Sequence, residues 1–375
     1  MTFSHQWASM NWDDIRLSIY AKTAADVRKA LAKPKRDLED FKALISPAAE
    51  PFLETMAQQA AVLTRRRFGY TVNFYVPLYL SNLCANACTY CGFSMENRIK
   101  RRTLSPEDIE RECLAIKAMN FDSILLVTGE HQTKVGMDYF RQALPAIKRH
   151  FSYLAMEVQP LQQEEYLELK GLGLDAVMVY QETYNRSTYA EHHLRGNKTD
   201  FAYRLDTPDR LAQAGIDKIG IGALIGLDDW RTDCFFVASH LGYLERTYWR
   251  SRYSISFPRL RPCEGGASLN NIQPKSVMTD RQLVQLICAY RLLNPDVELS
   301  LSTRESPAFR DKVLPLGITS MSAASKTQPG GYADDVPELE QFAVSDERSA
   351  SEVAHAVKSA GFEVVWKDWE KGFSG

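Results

Sequence analysis

Three cysteines fall within eight residues of one another, in the segment Cys84-Ala-Asn-Ala-Cys88-Thr-Tyr90-Cys91-Gly92-Phe93. Thiolates are strong, soft ligands, so three in one stretch point to zinc or to an iron–sulfur cluster. A closed structural zinc site takes a fourth ligand at short spacing, but no second cysteine pair follows and the nearest histidine is His131. A cubane cluster held by three thiolates leaves one iron open for a small molecule. The other four cysteines, Cys113, Cys234, Cys263 and Cys288, are scattered and read as small buried apolar residues.

The elements that must position this trio begin near residue 71. Short β-rich runs at 72–80, 123–127, 152–158, 175–180, 218–224, 252–257, 297–302 and 317–321 alternate with amphipathic helical stretches. The helical stretches lie at 106–119, 137–150, 163–170, 202–214, 229–245 and 280–293. Ser105-Pro106, with Asp108 three residues after the serine, is a capping box. Strand then helix, repeated, predicts parallel strands with right-handed crossovers, and eight units in about 250 residues fit an α/β fold, the (βα)8 TIM-type barrel. An open doubly wound sheet is the alternative. Residues 1–70 read as an N-terminal helical extension, with Ser46-Pro47 opening a helix through Leu63, and residues 71–375 as the barrel with a C-terminal closing segment.

Polar residues gather where each strand ends: the cysteines, Thr128-Gly129-Glu130, Glu157, Gln181-Glu182, Arg259 to Arg261, Ser302 to Glu305 and Ser322 to Thr327. In a barrel these ends converge on one mouth. A net charge of -2 and the absence of a long apolar run predict no nucleic-acid or membrane partner, no leader, and a cytoplasmic enzyme.

The CxxxCx(aromatic)C pattern at the end of the first barrel strand resembles the signature of the radical S-adenosylmethionine (SAM) superfamily. That resemblance implies a [4Fe-4S] cluster on Cys84, Cys88 and Cys91, with S-adenosyl-L-methionine on the open iron. It also implies cofactor contacts. Tyr90 matches the aromatic position beside the adenine. Thr128, Gly129 and Glu130 resemble the "GGE" strand that meets the methionyl amino group, with Thr128 in place of the first glycine. Glu157 corresponds to a residue near the ribose, Glu182 and Arg204 to groups at the cofactor and its carboxylate, and Ile221 to the strand bordering the adenine.

From about residue 10 onward the chain is similar to the tyrosine lyases of thiamin thiazole biosynthesis, the 2-iminoacetate synthase family. The segments Tyr180 to Tyr184, Phe257 to Pro262, Leu301 to Glu305, Ser322 to Thr327 and Pro329 to Tyr332 carry this likeness. It implies cleavage of the Cα–Cβ bond of L-tyrosine to 2-iminoacetate and p-cresol. It further implies hand-off of the imine to a thiazole synthase subunit and electrons from a flavodoxin-type donor. The tyrosine carboxylate needs a cation, and Arg304, Arg259, Arg261 and Lys326 are the candidates, Arg304 first, with Ser302 and Ser322 as hydroxyl partners. Arg304–Glu305 as a structural rim pair is the alternative. Tyr79 is expected to face either the substrate or the core, and His192-His193 to be a surface or hydrogen-bonding pair. The basic run Arg98, Lys100, Arg101, Arg102 is expected either to dock an acidic electron donor or to form a solvated loop.

Three other readings stay open on sequence. Biotin-synthase-like chemistry needs further cysteines on barrel strands; a tryptophan lyase shares the cleavage mechanism; a non-catalytic metal scaffold binds metal only. A related hydrogenase maturase adds C-terminal cysteines for a second cluster. Here no cysteine follows Cys288, so about four irons per chain are expected.

Overall fold

A computed structural model describes residues 2–261, 274–334 and 340–367. Eight parallel strands close into a barrel: β1 (Thr71–Ser81), β2 (Ser123–Thr128), β3 (Tyr153–Glu157), β4 (Ala176–Met178), β5 (Lys218–Gly222), β6 (Arg252–Ser256), β7 (Glu298–Leu301) and β8 (Ser320–Ser322). Asn73, Phe74 and Tyr75 of β1 pair with Ser320, Met321 and Ser322 of β8, and this last ladder rules out the open doubly wound sheet. Helices follow the strands and cover the outside.

Strand alternation explains both faces. Phe74, Val76, Leu78 and Leu80 of β1 and Ile124 and Leu126 of β2 point outward into the main core beneath the helices. The intervening Tyr79, Leu125, Val127, Ala155 and Ala176 point inward, where a second, smaller core fills the barrel. The outward face is apolar, as a sheet covered by helices requires, whereas the inward face also carries polar side chains, among them Lys218, Ser256, Glu298 and Ser300.

The helix over Pro106–Ala118 starts on the expected capping box: the Ser105 hydroxyl accepts from the Asp108 N–H, and the Asp108 carboxylate from the Ser105 N–H. Two stretches differ from expectation. After Ser46 the chain forms a 3-10 turn, Pro47–Phe52, and the α-helix runs only from Leu53 to Phe68. Pro51 lacks the N–H that an α-helix continuing through it needs, and the Ser46 hydroxyl caps nothing, donating instead to the Ala43 carbonyl. The predicted helix 202–214 splits into Phe201–Leu205 and Thr207–Gln213, with Pro208 in the first turn of the second piece.

The N-terminal helices pack on the barrel helices Trp230–Thr247 and Asp280–Leu293. Arg231 Nε donates to the Ile45 carbonyl, Gln285 Nε2 to those of Leu44 and Ser46, and Phe3 stacks on His240 at 3.9 Å. At the other end of the chain a short strand, Glu363–Val365, pairs with Thr71–Asn73 at the lower part of β1. Trp366 then seats between Phe74 and Phe121. Among the described residues no helix is long and apolar enough to cross a membrane.

Candidate active site

The carboxyl ends of the strands surround a cavity of about 190 Å³. Cys84, Cys88 and Cys91 line it, on the loop that leaves β1. That loop is fixed from several sides. The Ala85 N–H donates to the Glu130 carbonyl at 2.8 Å, and Ala87 and Cys88 form a small antiparallel ladder with His193–Arg195. Arg101 folds under the loop, donating to the carbonyls of Asn82, Phe93, Ser94 and Asn97. Arg102 pairs with Asp108 and Asp334. Two residues of the basic run, expected either to dock an acidic donor or to form a solvated loop, are therefore bonded within the fold.

Gly129 shows why this corner is so close-packed. A Cβ there would lie 2.3 Å from the Leu83 carbonyl oxygen and 3.1 Å from Cys84 Cβ. Only glycine lets the end of β2 touch the cysteine loop. Gly92 plays the same part on the opposite side, where a Cβ would meet the carbonyls of Glu340 and Gln341 at 2.8 Å.

Burial pushes the Cys84 thiol up to about 11 and the Cys88 thiol higher still. Such thiols ionise only when a cationic group replaces their protons. Among the described residues no three His, Cys, Asp or Glu side chains converge closely enough to hold one metal ion. The three thiols instead open separately onto one cavity, which suits a larger, multi-iron group.

Beside the thiols lies a buried ionic network. Arg204 donates from Nη1 to Glu130 Oε1 at 3.0 Å, from Nη2 to Glu182 Oε1 at 3.4 Å, and from Nε to the Tyr180 carbonyl at 2.7 Å. Lys198 Nζ donates to the same Glu182 oxygen at 2.7 Å, and Asn86 Nδ2 to Glu130 Oε2 at 2.7 Å. Burial alone pushes Glu182 up, but Lys198 and Arg204 outweigh it and hold the carboxyl below its ordinary range. Glu182 sits at φ 71°, a left-handed conformation rare outside glycine, and turns its carboxylate between the two cations. The buried Thr128 hydroxyl has no partner among the described residues and lines the same cavity.

Across the cavity Glu157 stands at the end of β3. Burial, with Glu182 nearby, pushes its carboxyl up to about 7. Arg304 lies on the opposite rim with its guanidinium 3.4 Å from the centre of the Phe342 ring, and among the described residues it makes no ion pair. Glu305 does not pair with Arg304 as the structural alternative supposed. It takes Arg259, through Nε at 3.0 Å and also through Nη2, and Arg261 at 3.0 Å. Glu305 thus engages two of the four candidate cations, and Arg259 also pairs with Asp280 at 2.8 Å. Lys326 is exposed and does not line the cavity. Arg261 and Arg304 both line the cavity, and of these two Arg304 alone has no ion pair among the described residues.

Ser302 and Ser322 both line the cavity, and their hydroxyls accept from the Arg304 and Thr303 N–H groups. Tyr79 faces the cavity too; its hydroxyl donates to Gln341 Oε1 at 2.7 Å, and Gln341 Nε2 donates to Cys91 Sγ at 3.8 Å. The Ile221 side chain packs in the main core, away from the cavity, so only its backbone is on offer there. Cys263 lies outside the described residues.

Some lining residues carry no signal in the sequence. Asn86, Lys198 and Gln341 acquire their roles only through chain segments brought together by the fold. His192 and His193 form a buried hydrogen-bonding pair: His192 Nδ1 with the Thr89 hydroxyl at 2.6 Å, and His193 Nε2 with the Tyr90 hydroxyl at 2.8 Å. They hold the middle of the cysteine loop.

Known proteins share the sequence and the fold of this chain. A profile of the Radical SAM superfamily matches residues 78–233, and one of the Biotin and Thiamin Synthesis associated domain matches residues 256–363. The chain is 64% identical over 370 residues to 2-iminoacetate synthase of Salmonella typhimurium, covering 98% of this chain and 97% of that one. Identity and coverage are the same for 2-iminoacetate synthase of Escherichia coli. The crystal structure of HydG, a maturase of the [FeFe]-hydrogenase, superposes with a TM-score of 0.88 at 29% identity, over 95% of this chain and 80% of that one. Radical SAM enzymes use a [4Fe-4S] cluster and S-adenosyl-L-methionine, and by identity over nearly its whole length this chain belongs to their 2-iminoacetate synthase family.

Proposed function

We propose that the cavity cleaves the Cα–Cβ bond of L-tyrosine, giving 2-iminoacetate and p-cresol for the thiazole of thiamin. The observation that carries this reading is the juxtaposition, in one cavity, of the three-thiol loop, the Glu130–Arg204–Glu182–Lys198 network and the uncommitted Arg304. Cys84, Cys88 and Cys91 would hold the cluster. Glu130 and Glu182 suit the cofactor's amino group, Arg204 and Lys198 its carboxylate, and the open Thr128 hydroxyl either. Tyr90, held by His193, presents the backbone beside which an adenine would lie. When bound, the two cofactors supply hydrogen-abstracting chemistry that no side chain of this protein can provide.

The remaining residues bind and orient the amino acid. Arg304 offers a guanidinium fork to its carboxylate, with Ser302 and Ser322 as neutral donors. Glu157 titrates near neutrality and can accept a proton from the substrate ammonium at the pH of the reaction. Gln341 and Phe342 lie over the cysteine loop and over Arg304, and so limit entry of water. Because an imine hydrolyses in water, direct transfer to a thiazole synthase subunit fits the product, and a flavodoxin-type donor fits the need for single electrons.

The test is product analysis after anaerobic reconstitution, with tyrosine and tryptophan offered in parallel. The expected result is p-cresol with 2-iminoacetate, or glyoxylate and ammonia after hydrolysis, from tyrosine alone, on about four irons per chain. Turnover of tryptophan in place of tyrosine, or S-adenosylmethionine left intact under reduction, contradicts it.

A further inference from the structure

Below the rim the cavity ends on hydroxyl groups. Tyr180 OH donates to Ser256 Oγ at 3.2 Å, and Tyr75 OH shares a hydrogen bond with Ser300 Oγ, also at 3.2 Å. All four residues line the cavity. O–H···O bonds are commonly near 2.7–2.8 Å, so both pairs are long. Each hydroxyl can donate one bond and accept two, which leaves each pair room for a further partner.

We propose that these two hydroxyl pairs form the subsite that reads the phenolic hydroxyl of the substrate and so selects tyrosine over other aromatic amino acids. The inference rests on the function proposed above. Ser300 lies on β7 two residues before Ser302, on the same face and one pleat deeper. Two strand residues span about 6.6 Å, the reach of a tyrosine side chain from α-carbon to oxygen. A carboxylate held at Arg304 and Ser302 therefore sends the ring down past Leu125 and Met178 and sets its oxygen among the hydroxyls. Thioether sulfur against an aromatic ring is a favourable contact.

The floor is not apolar behind the hydroxyls either. A second cavity of about 60 Å³ shares Tyr75, Tyr180, Ser256 and Ser300 with the first and reaches the buried Lys218–Glu298 ion pair at 2.9 Å. A phenyl ring or an indole pushed into this floor would shut off the hydroxyls' remaining bonding capacity from water without filling it. A site built to bond a substrate hydroxyl rejects the analogue lacking it strongly, by about 10⁴-fold where the match is complete.

The experiment measures binding of L-tyrosine, L-phenylalanine and L-tryptophan to the anaerobically reconstituted enzyme. It compares the unaltered chain with Tyr180→Phe, Ser256→Ala, Ser300→Ala and the Tyr180→Phe/Ser300→Ala pair. The unaltered enzyme should prefer tyrosine over phenylalanine by roughly 100-fold or more, and the double variant should lower that ratio at least tenfold. The ratio is taken within one preparation, so a partly misfolded variant still reports it, and a merely structural role would weaken all three ligands alike. An unchanged ratio in every variant overturns the subsite and leaves tyrosine cleavage standing. Failure of the unaltered, iron-loaded enzyme to bind tyrosine at all removes the proposed function together with the subsite.

Discussion

Replacing Arg304 by alanine probes the substrate end of the cavity. Its guanidinium is held by one ring, Phe342, and by no carboxylate among the described residues, so the substitution breaks no ion pair of the fold. The lost cation–π contact costs about 0.5–2 kcal/mol. Removing one side of a desolvated, charge-assisted pair costs about 2–5 kcal/mol, and because Arg304 is only half-buried the lower part of that range applies. Affinity for tyrosine should fall roughly 30- to 150-fold, a factor of ten corresponding to about 1.4 kcal/mol. Arg304→Lys, which keeps the charge and loses the planar fork, should fall between. Calorimetry on the iron-loaded protein reads the dissociation constant, and iron content checks that the cluster survives. Lys326→Ala serves as the control, since that side chain is exposed and outside the cavity, and should change nothing. A tyrosine affinity within threefold of the unaltered protein in Arg304→Ala would refute the reasoning.

Other outcomes follow from the same geometry. Gly129→Ala drives a Cβ to 2.3 Å from the Leu83 carbonyl, so iron content after reconstitution should drop severely; full loading would show that the loop can yield. Arg204→Ala leaves the Glu130 and Glu182 carboxylates with only Asn86 and Lys198, and should cost about 3 kcal/mol of stability in denaturant unfolding of the cofactor-free protein; an unchanged midpoint counts against the network. Glu157 is raised from 4.5 to about 7, so between those values the folded chain binds more protons than the unfolded one, and stability from this group is lost as pH rises. Glu157→Gln should therefore gain roughly 1–3 kcal/mol on the unaltered protein between pH 5 and pH 8, and a stability difference independent of pH would contradict the shift.

The barrel was legible because each strand obeys two constraints at once. Alternation in β1 sends Phe74, Val76, Leu78 and Leu80 outward and Tyr75 and Tyr79 inward, and both sets are visible in the order of residues. The place of the cysteine loop at the barrel mouth was legible because it follows directly on the first strand, and the three thiols do line the cavity there. What sequence left open was the division of labour among like charges. Arg259, Arg261 and Arg304 look equivalent along the chain, and it is the positions of Glu305 and Asp280 in the fold that leave Arg304 without a carboxylate among the described residues. Lys198 and Gln341 were invisible for a related reason: each reaches the site across a fold contact, to Glu182 and to Tyr79, that no local spacing encodes. The prolines that interrupt the predicted helices at Pro51 and Pro208 were in plain view, and there the amphipathic pattern outweighed the backbone chemistry.

We propose that Cys84, Cys88 and Cys91 hold a cluster whose chemistry is directed, in this one cavity, at tyrosine. The most direct measurement quantifies 5′-deoxyadenosine and p-cresol together, in one anaerobic assay with tyrosine, S-adenosylmethionine and a reductant, for the unaltered enzyme and for Cys88→Ala. The two products are expected in equal amounts from the unaltered enzyme, and neither from the variant. Deoxyadenosine without p-cresol, or p-cresol persisting in Cys88→Ala, would contradict it.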